Sequence, residues 1–519
     1  MHHTPVLVVG GSLVGLSTSL FLSTRGVDHV LVEKHPGSSP HPRAMGFTER
    51  TLELYRAAGI GERIPQAPSG SRLRRVKAQS LAGHWSEPLP WTPGKPGAPA
   101  SAYSPCRGAA IAQDRLEPIL RQAAIERGAD LRYGQRLLGW REVEDGIVAT
   151  IGDRAGGGAH ELHATYLLAC DGAASPVREQ AGIARHGVGY LRTLRSVLFH
   201  CPGADAWLER GVQQFQIDNP RVQGFLTTYG DGRWVLMFDD DRPRGEAEFD
   251  DAIRAALGMD LPFDRMTTGR WEMAGRIADA YSRGRVFLLG DAAHQLPPTR
   301  GGFGANTGID DAGNLAWKLQ LVLQGVSHPS LLDSYGSERQ PIAWLRHQQT
   351  FARPDYARWL ESPLETTLFG DAAMELGQLQ RSHIVLGAGA ELPPAAAPEV
   401  WAGQPGTRAP HAWITRQGVR ISTIDLSTRH FTLLSQAPEW IAAGREMAGR
   451  LGLPLDTVHV GVDVRFDHPD AFNAAYGVTA RGVSLVRPDG VVAWRRPDDA
   501  PERNACLADA FRRAACLHG

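Results

Sequence analysis

Apolar and polar positions change period abruptly at the start of the chain. Pro5 to Val9 is a short apolar run with three β-branched residues at its end and core, which predicts a buried strand; Gly10-Gly11-Ser12-Leu13-Val14-Gly15 breaks it, and Leu16, Leu20 and Phe21 then recur at helical spacing. Strand, turn and helix follow in that order. A second apolar run, His29 to Val32, predicts the next strand and ends in Glu33. Leu116, Ile119, Leu120 and Ala123 mark a helix, Tyr166 to Ala169 a strand, and Ser175-Pro176 with Gly182 supply the N-cap, first-turn proline and terminal glycine of a short helix. Arg285 to Leu289 predicts another buried strand, and Ile309, Ala312, Ala316, Leu319 and Leu323 a long amphipathic helix.

The same pattern divides the chain. Residues 1–182 and 283–386 alternate strands and helices, which predicts a discontinuous α/β, Rossmann-like domain with a parallel sheet, to which 76–102 contributes less clearly than to its neighbour. Between them, residues 183–282 hold strand-like runs at Val212–Ile217, Gly224–Thr228 and Trp234–Phe238, separated by Gly, Pro and Asp; an antiparallel-sheet substrate domain is expected. Residues 387–410, rich in Pro, Ala and Gly, read as a linker. In 411–519, Val419–Leu426, His430–Leu434, Thr457–Val464 and a hairpin from Val483 to Trp494 turning at Asp489-Gly490 predict a small α/β domain.

Two of these junctions carry chemistry. Glycines after the first strand allow a tight turn and bring bare backbone N–H groups at a helix N-terminus to a pyrophosphate, whose charge the helix dipole favours. Ser12 stands where the usual pattern has its middle glycine, and a hydroxyl turned aside still admits the phosphate. Glu33, about twenty residues on, suits the hydroxyls of an unphosphorylated ribose, as in FAD or NAD. An ordinary βαβ unit shares the glycine turn, and the placed acid argues against that plainer reading. The second junction is Gly290-Asp291, at the carboxyl end of the 285–289 strand, where Asp291 is placed to accept a ribitol hydroxyl. Beyond Pro297-Pro298, the segment from Gly301 to Asn306 opens the long helix, whose free N–H groups would face the negative charge of a reduced flavin. Either junction alone is weak; together, in this order, they form the two ends of one FAD cradle.

Composition narrows the class. A chain of 519 residues with 42% hydrophobic residues supports about three domains, and a net charge of −1 without a basic stripe excludes nucleic acid as the expected partner. The first apolar run lacks a preceding Lys or Arg and is followed at once by the nucleotide glycines, so it is expected to be the first βα unit rather than a signal peptide. The five cysteines, Cys106, Cys170, Cys201, Cys506 and Cys516, form no CxxC or metal-ligand pattern. A cytoplasmic monomer or homodimer without metal is the expectation.

Gly10 to Gly15, Glu33, Cys170-Asp171-Gly172 with Ser175 and Arg178, and Gly290-Asp291 through Asn306 resemble the class A flavoprotein monooxygenases, the para-hydroxybenzoate hydroxylase group. His41-Pro42-Arg43-Ala44-Met45-Gly46-Phe47 and Leu331-Leu332-Asp333-Ser334-Tyr335 with Glu338-Arg339 are similar to the aromatic polyketide hydroxylases within it. The likeness runs the whole length. It implies non-covalent FAD, NADPH or NADH as donor, O2, and hydroxylation of a small aromatic molecule, a multiring polyketide, through a flavin C4a-hydroperoxide. It also implies a thioredoxin-like domain at 411–519, redox-inert without CxxC and serving packing or dimer formation. Cofactor contacts implied by motif or resemblance are Gly10, Gly11, Ser12, Leu13, Gly15, Glu33, Lys34, Arg43, Gln113, Leu137, Asp171, Gly290, Asp291, Pro298, Gly304, Ala305 and Asn306. Arg300, an extra residue between Pro-Pro-Thr and the glycines, departs from the family pattern at the flavin-edge loop.

Arg43 is the one side chain assigned a catalytic part, tuning charge on the flavin, with a phosphate clamp as the plainer reading; His294, tethered after Asp291, is expected to be structural. Substrate candidates are Gln213, Phe215, Phe225 and Met237 from the middle sheet, Pro297, whose carbonyl is placed to orient a hydroxyl, and Tyr356 and Arg358; each has packing or surface exposure as its alternative. Baeyer-Villiger chemistry, a single-ring phenol hydroxylase, a flavin dehydrogenase or oxidase, and a non-enzymatic FAD-binding scaffold stay open at this point.

Overall fold

The computed structural model describes residues 2–41, 44–68, 74–88, 102–154, 156–298, 303–468 and 470–518. Three of the five sheets among these residues organise the fold. The first has eight strands, with Val286–Leu288, Ala159–Ala169, His2–Val9, His29–Glu33 and Asp130–Tyr133 adjacent and parallel in that order. Val6, Leu7 and Val8 are buried in succession, as a strand covered on both faces requires, and the continuous apolar run is the cause. Around this sheet lie helices α1 (Leu13–Thr24), α2 (Glu49–Ala57), α3 (Gln113–Ile125) and α4 (Pro176–Gln180). Ser175 caps α4 by accepting the Arg178 amide, and Gly182 ends it at φ 66°, as its sequence signals predict.

The second sheet, also eight-stranded, includes the three predicted runs but is dominated by two long strands, Arg185–His200 and Asp264–Ala278, which their pattern conceals. Register shifts at 186–189, 190–192 and 198–199 break the two-residue alternation that would have revealed them. Arg75–Ala78 and Trp85–Ser86 join this sheet at its far edge. Helix α5 (Glu246–Leu257) covers one face, burying Phe249, Ile253, Ala256 and Leu257 against Phe199, Leu236 and Phe238. The chain then returns to the first sheet and continues into α6 (Phe303–Leu323), α7 (Asp333–Phe351) and the one-turn α8 (Pro354–Ala357).

The C-terminal sheet runs Leu455–His459, Phe431–Ser435, Val483–Val486, Val492–Arg496, its first pair parallel and the others antiparallel, with helices Pro438–Leu451 and Arg503–Ala515 packed on it. This is the thioredoxin-like order, and Cys506 and Cys516 within it, like the other three cysteines of the chain, are free thiols. Residues 423–426, expected to continue a strand, form a 3-10 turn because Ser422 and Asp425 cap each other. The 387–410 segment is a packed strap rather than a loose connector: Ala395 and Trp401 are buried, and the Trp401 indole donates to the Gly377 carbonyl at 2.8 Å. Trp317 of α6 meets Phe431 edge-on at 5.6 Å, so this domain shares a core with α6. No helix among the described residues is long and apolar enough to cross a membrane.

Burial lowers the pKa of His347 from 6.5 to about 4, and burial followed by Arg408 does the same to His411. Both imidazoles stay neutral in the fold, while the unfolded chain takes up protons below 6.5. Stability therefore holds above pH 6.5 and falls as pH drops from 6.5 toward 4. His347→Gln should flatten the fall in Tm between pH 7 and 5; an unchanged slope would assign the acid sensitivity elsewhere.

Candidate active site

The turn after the first strand is built around two glycines that admit no side chain. Gly10 lies at φ 106°, with a Cβ there 2.3 Å from the Cys170 carbonyl oxygen; a Cβ on Gly15 would lie 1.8 Å from the carbonyl oxygen of Gly10. Bare backbone therefore lines the approach to the N-terminus of α1, whose first N–H groups have no helical acceptor. Ser12 leaves that approach clear: its hydroxyl donates to Glu117 Oε1 at 2.7 Å and accepts from Gln113 Nε2 at 2.9 Å. Gln113 also donates to Glu117 at 2.8 Å, and its backbone amide donates to the Ala44 carbonyl at 2.9 Å. Glu117 was not among the residues singled out from the sequence. Its spacing of four from Gln113 on one helix face was the available clue.

Glu33 is fixed beside the same turn. One carboxylate oxygen accepts the Gly11 amide at 2.6 Å and the other the His35 amide at 2.8 Å. Lys34 is exposed beyond it, and Leu137 packs on the edge of the first core, with Gly134 donating to the His35 carbonyl at 3.3 Å. Leu13 is buried in that core. Asp171 follows the parallel strand that neighbours the first. Its Oδ2 accepts the Val177 amide at 3.2 Å, whereas Oδ1 is buried without a hydrogen-bond partner, and burial raises the carboxyl above its usual range. A buried orphan oxygen costs free energy unless a donor meets it, which fits a hydroxyl-bearing ligand in this cradle.

At the second junction, Gly290 and Asp291 form a single 3-10 turn after the Val286–Leu288 strand. The Gly290 amide donates to Asp311 Oδ2 at 3.2 Å, and that oxygen also contacts His294 Nε2 at 2.7 Å. Arg339 completes the cluster, donating to Asp311 Oδ1 at 2.8 Å and to Asp310 Oδ2 at 2.5 Å. Burial would raise Asp311, but His294 and Arg339 overcome it and hold the carboxyl below its usual value. His294 thus braces the turn and faces no open space, in keeping with a structural part.

Asn306 anchors the start of α6. Its Oδ1 accepts from Thr51 Oγ1 at 2.6 Å and the Thr48 amide at 3.1 Å, and its Nδ2 donates to the Gly46 carbonyl at 3.2 Å. With the side chain occupied, Gly304, Ala305 and Asn306 offer backbone N–H groups at the helix N-terminus. Arg43, Arg300, Gly301 and Gly302 lie outside the described residues.

One face of the second sheet turns toward this region. Gln216, Phe225, Met237 and Ser196 stand opposite one another across four strands, and Ser196 Oγ meets His41 Nε2 at 2.9 Å. Phe225 lies beneath the Arg75 guanidinium, 4.7 Å from its ring centre. Tyr356 is buried with its hydroxyl donating to the Pro298 carbonyl, next to buried Pro297. Phe215 is corrected: it is fully buried on the opposite face, 5.0 Å from Trp85 and 6.2 Å from Trp234, because neighbours in a strand point to opposite sides. Arg358 is exposed over Trp359, and Gln213 precedes the strand, accepting the Arg74 amide at 3.4 Å; neither is held toward the face that carries Phe225.

Residues 3–350 match the family described as FAD binding domain, and residues 402–515 the family described as aromatic-ring hydroxylase, C-terminal. Tetracenomycin A2 monooxygenase-dioxygenase of Streptomyces glaucescens is 39% identical over 96% of this chain and 95% of its own length. A 4-methyl-5-nitrocatechol 5-monooxygenase from a Burkholderia species is 37% identical over 99% and 97%. The crystal structure of aklavinone-11 hydroxylase, in ternary complex with FAD and aklavinone, superposes with a TM-score of 0.88 at 33% identity, covering 99% of both chains.

Proposed function

This chain belongs to the FAD-binding aromatic-ring hydroxylases, and we propose that it hydroxylates a multiring aromatic polyketide at the expense of NAD(P)H and O2. The observation that carries the substrate class is the end-to-end likeness to a tetracenomycin-oxidising enzyme and to a structure that holds aklavinone beside FAD. FAD, when bound, would supply the redox chemistry that links the nicotinamide to oxygen.

The residues divide the remaining work. Gly10, Gly11 and Gly15 would let the pyrophosphate reach the N-terminus of α1, Glu33 would take the ribose, and Asp291 would accept from the ribitol. Amides of Ala305 and Asn306 offset negative charge at the flavin ring. The face carrying Phe225, Met237 and Gln216, closed by Tyr356 and Pro297, orients the aromatic rings and excludes water. A single-ring phenol is the second reading, favoured by the nitrocatechol enzyme at 37% identity. NAD(P)H oxidation with anthracyclinone and tetracenomycin-type compounds against simple catechols discriminates them: multiring compounds should stimulate it and single rings should not.

Asp291→Ala removes the ribitol acceptor, at a cost of about 1–3 kcal/mol. The purified variant should be largely colourless while the parent is yellow. Full FAD occupancy at micromolar protein would remove Asp291 from the site.

A further inference from the structure

We propose that the C-terminal domain is part of the cofactor site's scaffold, with its Arg487 acting through the adjacent α7 residues Glu338 and Arg339 to position the Gly290 turn. Arg487 lies in the tight hairpin between the last two strands, 149 residues from Glu338, and both side chains are wholly buried. It donates to Glu338 Oε1 at 2.6 Å and Oε2 at 3.0 Å, a two-pronged contact, while Asp489 on the hairpin side accepts two more of its N–H groups at 3.0 and 2.5 Å. Lys318 at 2.9 Å and Asn314 at 2.7 Å, both from α6, and Ser382 at 2.7 Å complete the donors around Glu338. Every carboxylate lone pair of Glu338 is thereby used, and one of its principal partners comes from the other domain.

The next residue of α7 continues the path. Arg339, also wholly buried, grips Asp310 and Asp311 of α6, and Asp311 holds the Gly290 amide immediately before Asp291. A second route reaches the same point: Arg50 of α2 donates to the Asp489 carbonyl at 3.0 Å and to Asp310 Oδ1 at 3.1 Å. Arg25, the residue that ends α1, adds a bond of 3.0 Å to the Pro488 carbonyl. The hairpin turn is therefore tied directly to α2, to α7 and to the end of α1, and through Glu338 and Arg50 to α6. Removing the Arg487 charge leaves Glu338 buried with a single cation, which a helix relieves by moving, and movement of α7 carries Arg339 with it.

This inference rests on the reading that Gly290-Asp291 holds FAD. The test uses the full chain: Arg487→Met, Arg487→Lys, Asp489→Asn and, as reference, Asp291→Ala. FAD affinity is followed by quenching of flavin fluorescence, and hydrogen exchange in the apo protein is followed for residues 286–293 and, as a distant control, 146–153. Arg487→Met should weaken FAD binding about tenfold, within the usual range of inter-site coupling. It should speed exchange at 286–293 while leaving 146–153 unchanged, and Arg487→Lys should recover part of both. Unchanged affinity with unchanged exchange at 286–293, or faster exchange in both segments alike, overturns the brace. If Arg487→Met does not fold, Asp489→Asn is read by the same criteria. Weakened FAD in Asp291→Ala with parent affinity in Arg487→Met overturns the brace alone; parent affinity in Asp291→Ala overturns the site reading on which it depends.

Discussion

Gly15→Ala should yield a folded protein that no longer binds FAD. The added Cβ would lie 1.8 Å from the Gly10 carbonyl oxygen and 3.4 Å from Cys170 Cβ, and the nearer neighbour is backbone, which has no rotamer to escape into. The turn must open. Gly10 cannot absorb the shift freely, because its own position at φ 106° is set against the Cys170 carbonyl and its amide is bonded to Val32 at 2.9 Å. Overpacking of this kind costs about 1–3 kcal/mol in stability. The loss of binding is larger in effect, since the displaced amides are the ones that would meet the pyrophosphate. Flavin absorbance per polypeptide after purification, beside far-ultraviolet circular dichroism, measures both. A folded Gly15→Ala protein carrying one FAD per chain would show that the pyrophosphate lies elsewhere.

The second large effect is on stability. Arg339→Met removes the guanidinium that bridges Asp310 and Asp311, and breaking a buried pair by deleting one partner costs about 3–5 kcal/mol. Burial raises both acids, and their cations hold them below the ordinary carboxylate value in the parent. A depressed folded pKa gives stability that is present above the unfolded value and lost as pH falls through the folded one. The gap between parent and variant should therefore be full at pH 7 and shrink as pH falls below about 4, where the acids protonate in the unfolded chain. Thermal unfolding of the apo proteins across that range checks it. Equal Tm values at pH 7 would mean that Asp310 and Asp311 find other cations.

What the sequence disclosed was local, and what it withheld was long-range. The first strand, turn and helix, the acid at Glu33 and the turned-aside hydroxyl of Ser12 all follow from residues within one βαβ unit. Glu117, which turns that hydroxyl, is 105 residues away from it. Phe215 was assigned to the pocket because it lies in the right strand; only pairing with its neighbours tells which face it takes. Arg185–His200 and Asp264–Ala278 escaped notice because bulges shift the alternation on which strand reading depends. The dipeptide Glu338-Arg339 was visible as a motif, but its two side chains point to different domains, and no periodicity in α7 conveys that. Composition made 387–410 look loose, although tertiary bonds to Gly377 and Gln380 hold it down.

In the proposed reaction this chain moves oxygen from O2 onto an aromatic polyketide using FAD and NAD(P)H. The most direct measurement is product mass spectrometry after turnover of the FAD-loaded protein with NADPH, a tetracenomycin-type or anthracyclinone substrate and ¹⁸O2 in ordinary water. The product should carry ¹⁸O from the gas and form only while nicotinamide is consumed. An oxidised product without label, or turnover unaffected by removing O2, would contradict it and leave a dehydrogenase.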